Sequence, residues 1–191
     1  MTKLSAAFLF AIALCLSPFC IAGGLGPWKF GMSKSEVTAV AEFAPYKSFA
    51  NGDLETREYP LESQKENVQF FFDDKGLLRR IGVYRYEGPV QMDAVQAWRR
   101  TYEFLKREYG GVNSAVPQPG SDGKPLPENP SLVFSMSSLI LAELHGKVQM
   151  APAKQPEDVA IFSSFIRATQ LGRKSYLVIL YFDRPAMPVA K

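Results

Sequence analysis

Between residues 66 and 89, apolar and polar positions alternate with the period of a β-hairpin. Val68, Phe70 and Phe72 fall on one face of the first arm. Asp73-Asp74-Lys75-Gly76 supplies residues that bend the backbone, and residues 77–86 return as the second arm. A second stretch repeats the outline: Glu157-Asp158-Val159-Ala160-Ile161-Phe162 opens it and Tyr181-Phe182-Asp183-Arg184-Pro185 closes it. A longer turn around Gln170-Leu171-Gly172-Arg173 is expected to absorb its extra length. The repeated outline predicts a duplicated unit.

Two helices flank these hairpins in the sequence pattern. Met32-Ser33-Lys34-Ser35-Glu36-Val37 reads as a helix start, with Ser33 as N-cap, Glu36 reaching back to it, and Met32 and Val37 placed to staple the first turn. The helix is expected to run to about Phe43 and stop before Pro45. Residues 53–59 read as a strand ahead of the first hairpin. In residues 89–109, Val95, Trp98, Tyr102, Leu105 and Tyr109 recur at steps of three and four, the stripe of an amphipathic helix capped by Gly110. Glu103 and Arg107 are spaced to pair on it. Residues 111–129 are rich in Gly, Pro, Ser and Asn and predict a flexible loop. Asn129-Pro130-Ser131 followed by residues 132–145 and Gly146 reads as a third helix, with a strand as the alternative. Residues 147–150, 159–167 and 175–183 read as strands, the last apolar on both faces and therefore central. The predicted fold is α+β: one domain over residues 23–191, made of two tandem helix–three-strand units at about 28–88 and 89–185. Antiparallel sheet is expected to pack on helices.

Residues 1–22 have the pattern of a signal peptide. Lys3 precedes an apolar core over residues 4–16, Pro18 breaks it, and Cys20-Ile21-Ala22 fits cleavage before Gly23. The apolar stretch also approaches the length of a retained anchor, but Pro18 and the short basic region favour cleavage. Cys15 and Cys20 lack the small residues that a lipidation signal places before its cysteine. The expected location is periplasmic or secreted. Both cysteines lie in this segment, so the remainder has no disulfide, thiolate nucleophile or cysteine metal site. No second apolar run is long enough to cross a membrane. A formal charge of +3, lower by one without Lys3, points away from nucleic acid.

Candidate chemistry is sparse. His145, the single histidine, stands at the expected end of the third helix, where the dipole favours an imidazolium. Asp73-Asp74 and Glu157-Asp158 read as turn and surface residues, without the alternating acids of a calcium loop. No catalytic residue, metal site or cofactor is assigned. The suggestive group is Arg79, Arg80 and Arg85 with Tyr84 and Tyr86. On a strand, Arg80, Gly82, Tyr84 and Tyr86 share a face, Tyr and Arg are favoured at interface hot spots, and Gly82 would admit another backbone. The alternative places these residues beneath the long helix.

The stretch Gly31-Met32-Ser33-Lys34-Ser35-Glu36-Val37 with its following strands resembles the start of the small outer-membrane assembly lipoproteins of the BamE/SmpA type. The tandem helix-plus-sheet pattern also resembles the β-lactamase-inhibitor-protein architecture. Phe43-Ala44-Pro45-Tyr46 replaces the leucine-glycine turn usual after that helix, and the lipobox and the inhibitor family's disulfides are missing. The resemblance therefore implies an architecture and a role in envelope protein binding, and no functional residues. The resulting expectation is an exported, non-catalytic binding protein of the bacterial envelope, an inhibitor, chaperone-like or assembly factor, with Arg80, Tyr84 and Tyr86 facing another envelope or exported protein. The alternatives are a small-molecule or lipid carrier with an apolar cleft between sheet and long helix, and a carboxylate-dependent hydrolase.

Overall fold

The computed structural model describes residues 23–115, 147–170 and 173–185. The expected signal segment, the third helix with His145, and all but the first residues of the expected loop lie outside these. A small ribbon of β1 (Gly24–Leu25) and β2 (Trp28–Lys29) precedes α1 (Lys34–Thr38) and a 3-10 turn at Ala41–Phe43. Then come β3 (Lys47–Ser48), β4 (Leu54–Leu61), β5 (Gln64–Phe72), β6 (Leu78–Gly88), α2 (Gln91–Tyr109), β7 (Val112–Ala115), β8 (Lys147–Pro152), β9 (Ala160–Gln170) and β10 (Arg173–Asp183).

The two tandem helix–three-strand units are not what forms. β3 to β10 make one eight-stranded antiparallel sheet in the order β3-β4-β5-β6-β10-β9-β8-β7. The described fold is mostly β, with one long helix. β6 and β10 pair from Arg80↔Asp183 to Gly88↔Tyr176 and fuse the halves into one sheet. α2 packs on β6 and β10, and also on β7, β8 and β9, so it serves strands from both halves of the chain. The first half contributes only a five-residue helix. Its capping box forms as expected: Ser33 N donates to Glu36 Oε2 at 2.7 Å and Glu36 N to Ser33 Oγ at 3.4 Å. The helix fails to reach Phe43 because β-branched Val37, Thr38 and Val40 propagate it poorly. Val40 leaves helical space at φ −75°, ψ 79°, and the 3-10 turn carries Phe43 into the core.

The hairpin turn at Asp73 does form: the Asp73 carboxylate accepts from Lys75 N and Leu77 N, both at 2.9 Å. The β9–β10 hairpin departs from expectation, because its arms are long rather than its turn. Pairing continues out to Arg173↔Gln170. β10 lies between β6 and β9, as its two apolar faces predicted.

Cross-strand register separates two faces. On the inner face, Leu54, Phe70, Ile81, Phe182 and Ile161 form a row across five strands, each at most 5% exposed. α2 lies on this side, with Trp98 edge-on to Phe165 at 5.9 Å. So does the N-terminal segment: Trp28, fully buried, meets Phe70 at 4.8 Å, Phe43 at 5.1 Å and Tyr59 at 5.2 Å. Among the described residues no helix packs on the outer face.

Candidate functional site

One row of residues crosses the outer face: Lys47, Glu55, Gln69, Gly82, Tyr181 and Phe162, on β3, β4, β5, β6, β10 and β9 in turn. Its centre is Gly82. A Cβ there would lie 3.2 Å from Phe71, 3.3 Å from Tyr181 and 3.4 Å from Ile179. The neighbouring rings fold over the glycine and fill its place, the arrangement by which aromatics compensate a strand glycine. The expected role for Gly82, admitting a foreign backbone, is thus taken by the chain's own side chains.

Arg80 stands beside this notch. Its Nε donates to Asp183 Oδ2 at 3.1 Å, and its Nη2 bonds the same oxygen. The guanidinium lies 5.3 Å from the Tyr181 ring centre and 5.8 Å from that of Phe162, and those two rings stack at 4.9 Å. A salt bridge and two cation–π contacts hold one planar cation over an aromatic pair. Tyr84 donates its hydroxyl to Gln69 Oε1 at 2.8 Å. Burial, reinforced by charge repulsion from the ionisable phenol of Tyr181 and the carboxylates of Glu87 and Glu55, pushes its phenol well above the ordinary range.

Of the three nominated residues, Arg80 and Tyr84 share the outer face and Tyr86 leaves it. A β-bulge makes Tyr84 oppose Ile179 but Tyr86 oppose Val178, so Arg85 is the extra residue. Tyr86 turns to the core side, half-buried, and its hydroxyl accepts from Val90 N at 2.9 Å. The partners that complete the cluster, Phe162, Tyr181 and Asp183, are not evident from sequence, because β6 meets β10 only in three dimensions. The available signal was Tyr181 alternating with core residues on a two-faced strand.

Arg85 itself points inward to a charged cluster. Its Nη1 bonds Glu66 Oε1 at 2.8 Å and its Nη2 Glu62 Oε2 at 2.6 Å, while Arg107 of α2 reaches Glu62 Oε1 at 2.8 Å. Arg107 thus pairs with Glu62 and Glu108 in place of the expected Glu103. Burial pushes the Glu66 carboxyl above its usual range, opposed by the charges of Arg85 and Arg100.

Two cavities lie toward the lateral ends of the sheet. One of about 450 Å³ opens where β3 ends and the edge of β4 is free, bounded by Tyr46, Lys47, Glu55 and Arg57. Glu55 is 5% exposed, with Lys47 at 3.4 Å and Arg57 at 3.9 Å. The other, of about 530 Å³, lies between β7, β8 and Phe162. Among the described residues no three His, Cys, Asp or Glu side chains gather as a metal site, and no helix is long and apolar enough to cross a membrane. Asp73, held acidic chiefly by the Leu77 N–H bond, is a turn residue, and Glu157 and Asp158 are exposed. Comparison of the chain with protein-family models, curated proteins and solved structures gives no match.

Proposed function

We propose that the protein is an exported, non-catalytic binding protein of the bacterial cell envelope. It acts by contact with another envelope or exported protein through the outer face of its sheet. The observation that carries this reading is the division of labour between the faces. The inner one is occupied by α2 and the N-terminal segment, while the outer one carries partly exposed Phe71, Tyr84, Phe162 and Tyr181 around Arg80. Aromatic rings and arginine on a rigid sheet are the side chains that dominate binding energy at protein interfaces. The export component rests on the signal pattern of residues 1–22. The carrier alternative gains no support beneath α2, where Ala97, Trp98, Thr101, Tyr102 and Leu105 are at most 3% exposed and fill the helix–sheet contact.

The test is capture of partners from envelope extract by the purified protein, compared with an Arg80→Ala/Tyr84→Ala variant. The expected result is a partner retained by the parent and lost by the variant, with the variant still unfolding cooperatively, at a somewhat lower midpoint because Arg80 and Tyr84 also bond within the sheet. Equal capture by both would remove the outer face from the function.

A further inference from the structure

We infer that the cavity between β7, β8 and Phe162 is an anchor site for one uncharged, apolar side chain of a peptide segment, held by its flanking backbone amide. The inference rests on the protein-binding reading above and adds the chemistry of the partner's contact element. At about 530 Å³ the cavity falls within the range of ligand pockets. Its base is apolar: Ala151 of β8 lies on the face that carries Phe162, with Ala153 beyond it, whereas Met150 and Pro152 alternate to the core side. Phe162 forms a wall, fixed by its stacking on Tyr181 and by Arg80. Gln155 secures the adjoining loop, its amide accepting from Ile161 N at 2.7 Å and donating to Ile161 O at 2.8 Å. The site is therefore shaped before anything enters it, which lowers the ordering cost of binding.

Two polar groups remain available. Gln149 gives Nε2 to Ser164 Oγ at 3.1 Å, and among the described residues neither its Oε1 nor the side-chain amide of Asn113 has a further hydrogen-bond partner. Asn113 and Gln149 are near neighbours on adjoining strands, since Asn113 opposes Ala151 and Ala115 opposes Gln149. One free donor and one free acceptor match the C=O and N–H of a peptide backbone. Among the described residues no charged side chain lines the cavity, and Arg80 beyond Phe162 is neutralised by Asp183. A charged ligand group would enter without a counter-charge. A sugar ring would bring more hydroxyls than two groups satisfy, and unpaired buried hydroxyls are costly.

The experiment is an NMR titration of the protein lacking residues 1–22, observing the Ala151 and Ala153 methyls and the Asn113, Ala151 and Ala153 amides. The probes are N-acetyl-tryptophanamide, N-acetyl-glutamate amide and the trimer of N-acetylglucosamine. Saturable shifts confined to these signals are expected for the tryptophan probe alone. Ala153→Trp, placed at an exposed position on the rim, should weaken them about tenfold or more. Asn113→Ala, which leaves the base intact, should weaken them several-fold. Absence of shifts, preference for the sugar or the glutamate probe, or undiminished binding in both variants overturns the assignment. In the capture assay, retention that depends on Arg80 and Tyr84 but ignores Ala153→Trp overturns the anchor while keeping the outer face. Loss on Ala153→Trp with indifference to Arg80 and Tyr84 supports the anchor and refutes the broader face.

Discussion

Replacing Arg85 tests how the sheet tolerates charge inside its core. The side chain is 2% exposed and holds Glu66, whose own side chain is 9% exposed, together with Glu62 at 25%. In Arg85→Met, Glu66 would remain as a buried carboxylate without its nearest counter-charge. Breaking a buried pair from one side costs on the order of 3–5 kcal/mol. The partial exposure of Glu62 and the remaining charge of Arg100 place the expectation at the lower end, about 3 kcal/mol. Removing both charges in Arg85→Met/Glu66→Leu should recover most of the loss, because the desolvation penalty disappears with the ions. Urea unfolding at constant slope measures each arm of this double-mutant cycle. The pH dependence follows from burial, which raises the Glu66 pKa. The folded chain therefore takes up this proton at higher pH than the unfolded chain, and the group's contribution to stability falls as pH rises through that window. Losing Arg85 removes a charge that lowers this pKa, so the cost of Arg85→Met should shrink on acidification. A cost below about 1 kcal/mol, the range of an exposed pair, or one independent of pH, would refute the reasoning.

Three further outcomes are expected. Ser33→Ala should destabilise by about 1 kcal/mol through loss of the cap, and should raise the Glu36 pKa only in part, because the backbone N–H of residue 33, the larger cause of its lowering, remains while the hydroxyl is lost; denaturant unfolding and a carboxylate NMR titration read the two effects. Gly82→Ala, which drives a methyl against Phe71 and Tyr181, should cost about 1–3 kcal/mol by overpacking, seen as a lower thermal midpoint. Burial and the nearby Glu108 carboxylate push the Tyr109 phenol up to about 12. The unfolded phenol ionises first, near about 10, so stability should fall as pH rises from there, and Tyr109→Phe should flatten the decline in an alkaline unfolding series.

What the sequence disclosed was local. The Ser33–Glu36 box and the Asp73 turn depend on residues at most four positions apart, and both form as read. The central place of β10 followed from its own two apolar faces. What escaped depended on a distant neighbour. Tyr86 left the face of Arg80 because a bulge against β10 inserts Arg85, and no periodicity within β6 encodes that slip. The tandem-unit reading failed for the same reason. Alternation within a strand names its two faces and not the strand beside it, so continuous pairing of β6 with β10 was invisible. At the site, Arg80 was found from its strand, but Phe162 and Tyr181, which give it meaning, belong to the other end of the chain.

The strand order has a consequence for how the molecule is made. Reading outward from the centre, the sheet runs backward through the first half and backward again through the second, so its middle seam joins β6 to β10. β10 is the last described element of the chain to leave the ribosome. Until it arrives, β6 is an open edge on an otherwise paired four-strand run, rich in Ile, Val and Tyr and equally ready to recruit the wrong strand. Closure of that seam spans about a hundred residues, the kind of distant pairing that slows assembly. The nascent chain therefore has a built-in interval of vulnerability that lasts until β10 is delivered.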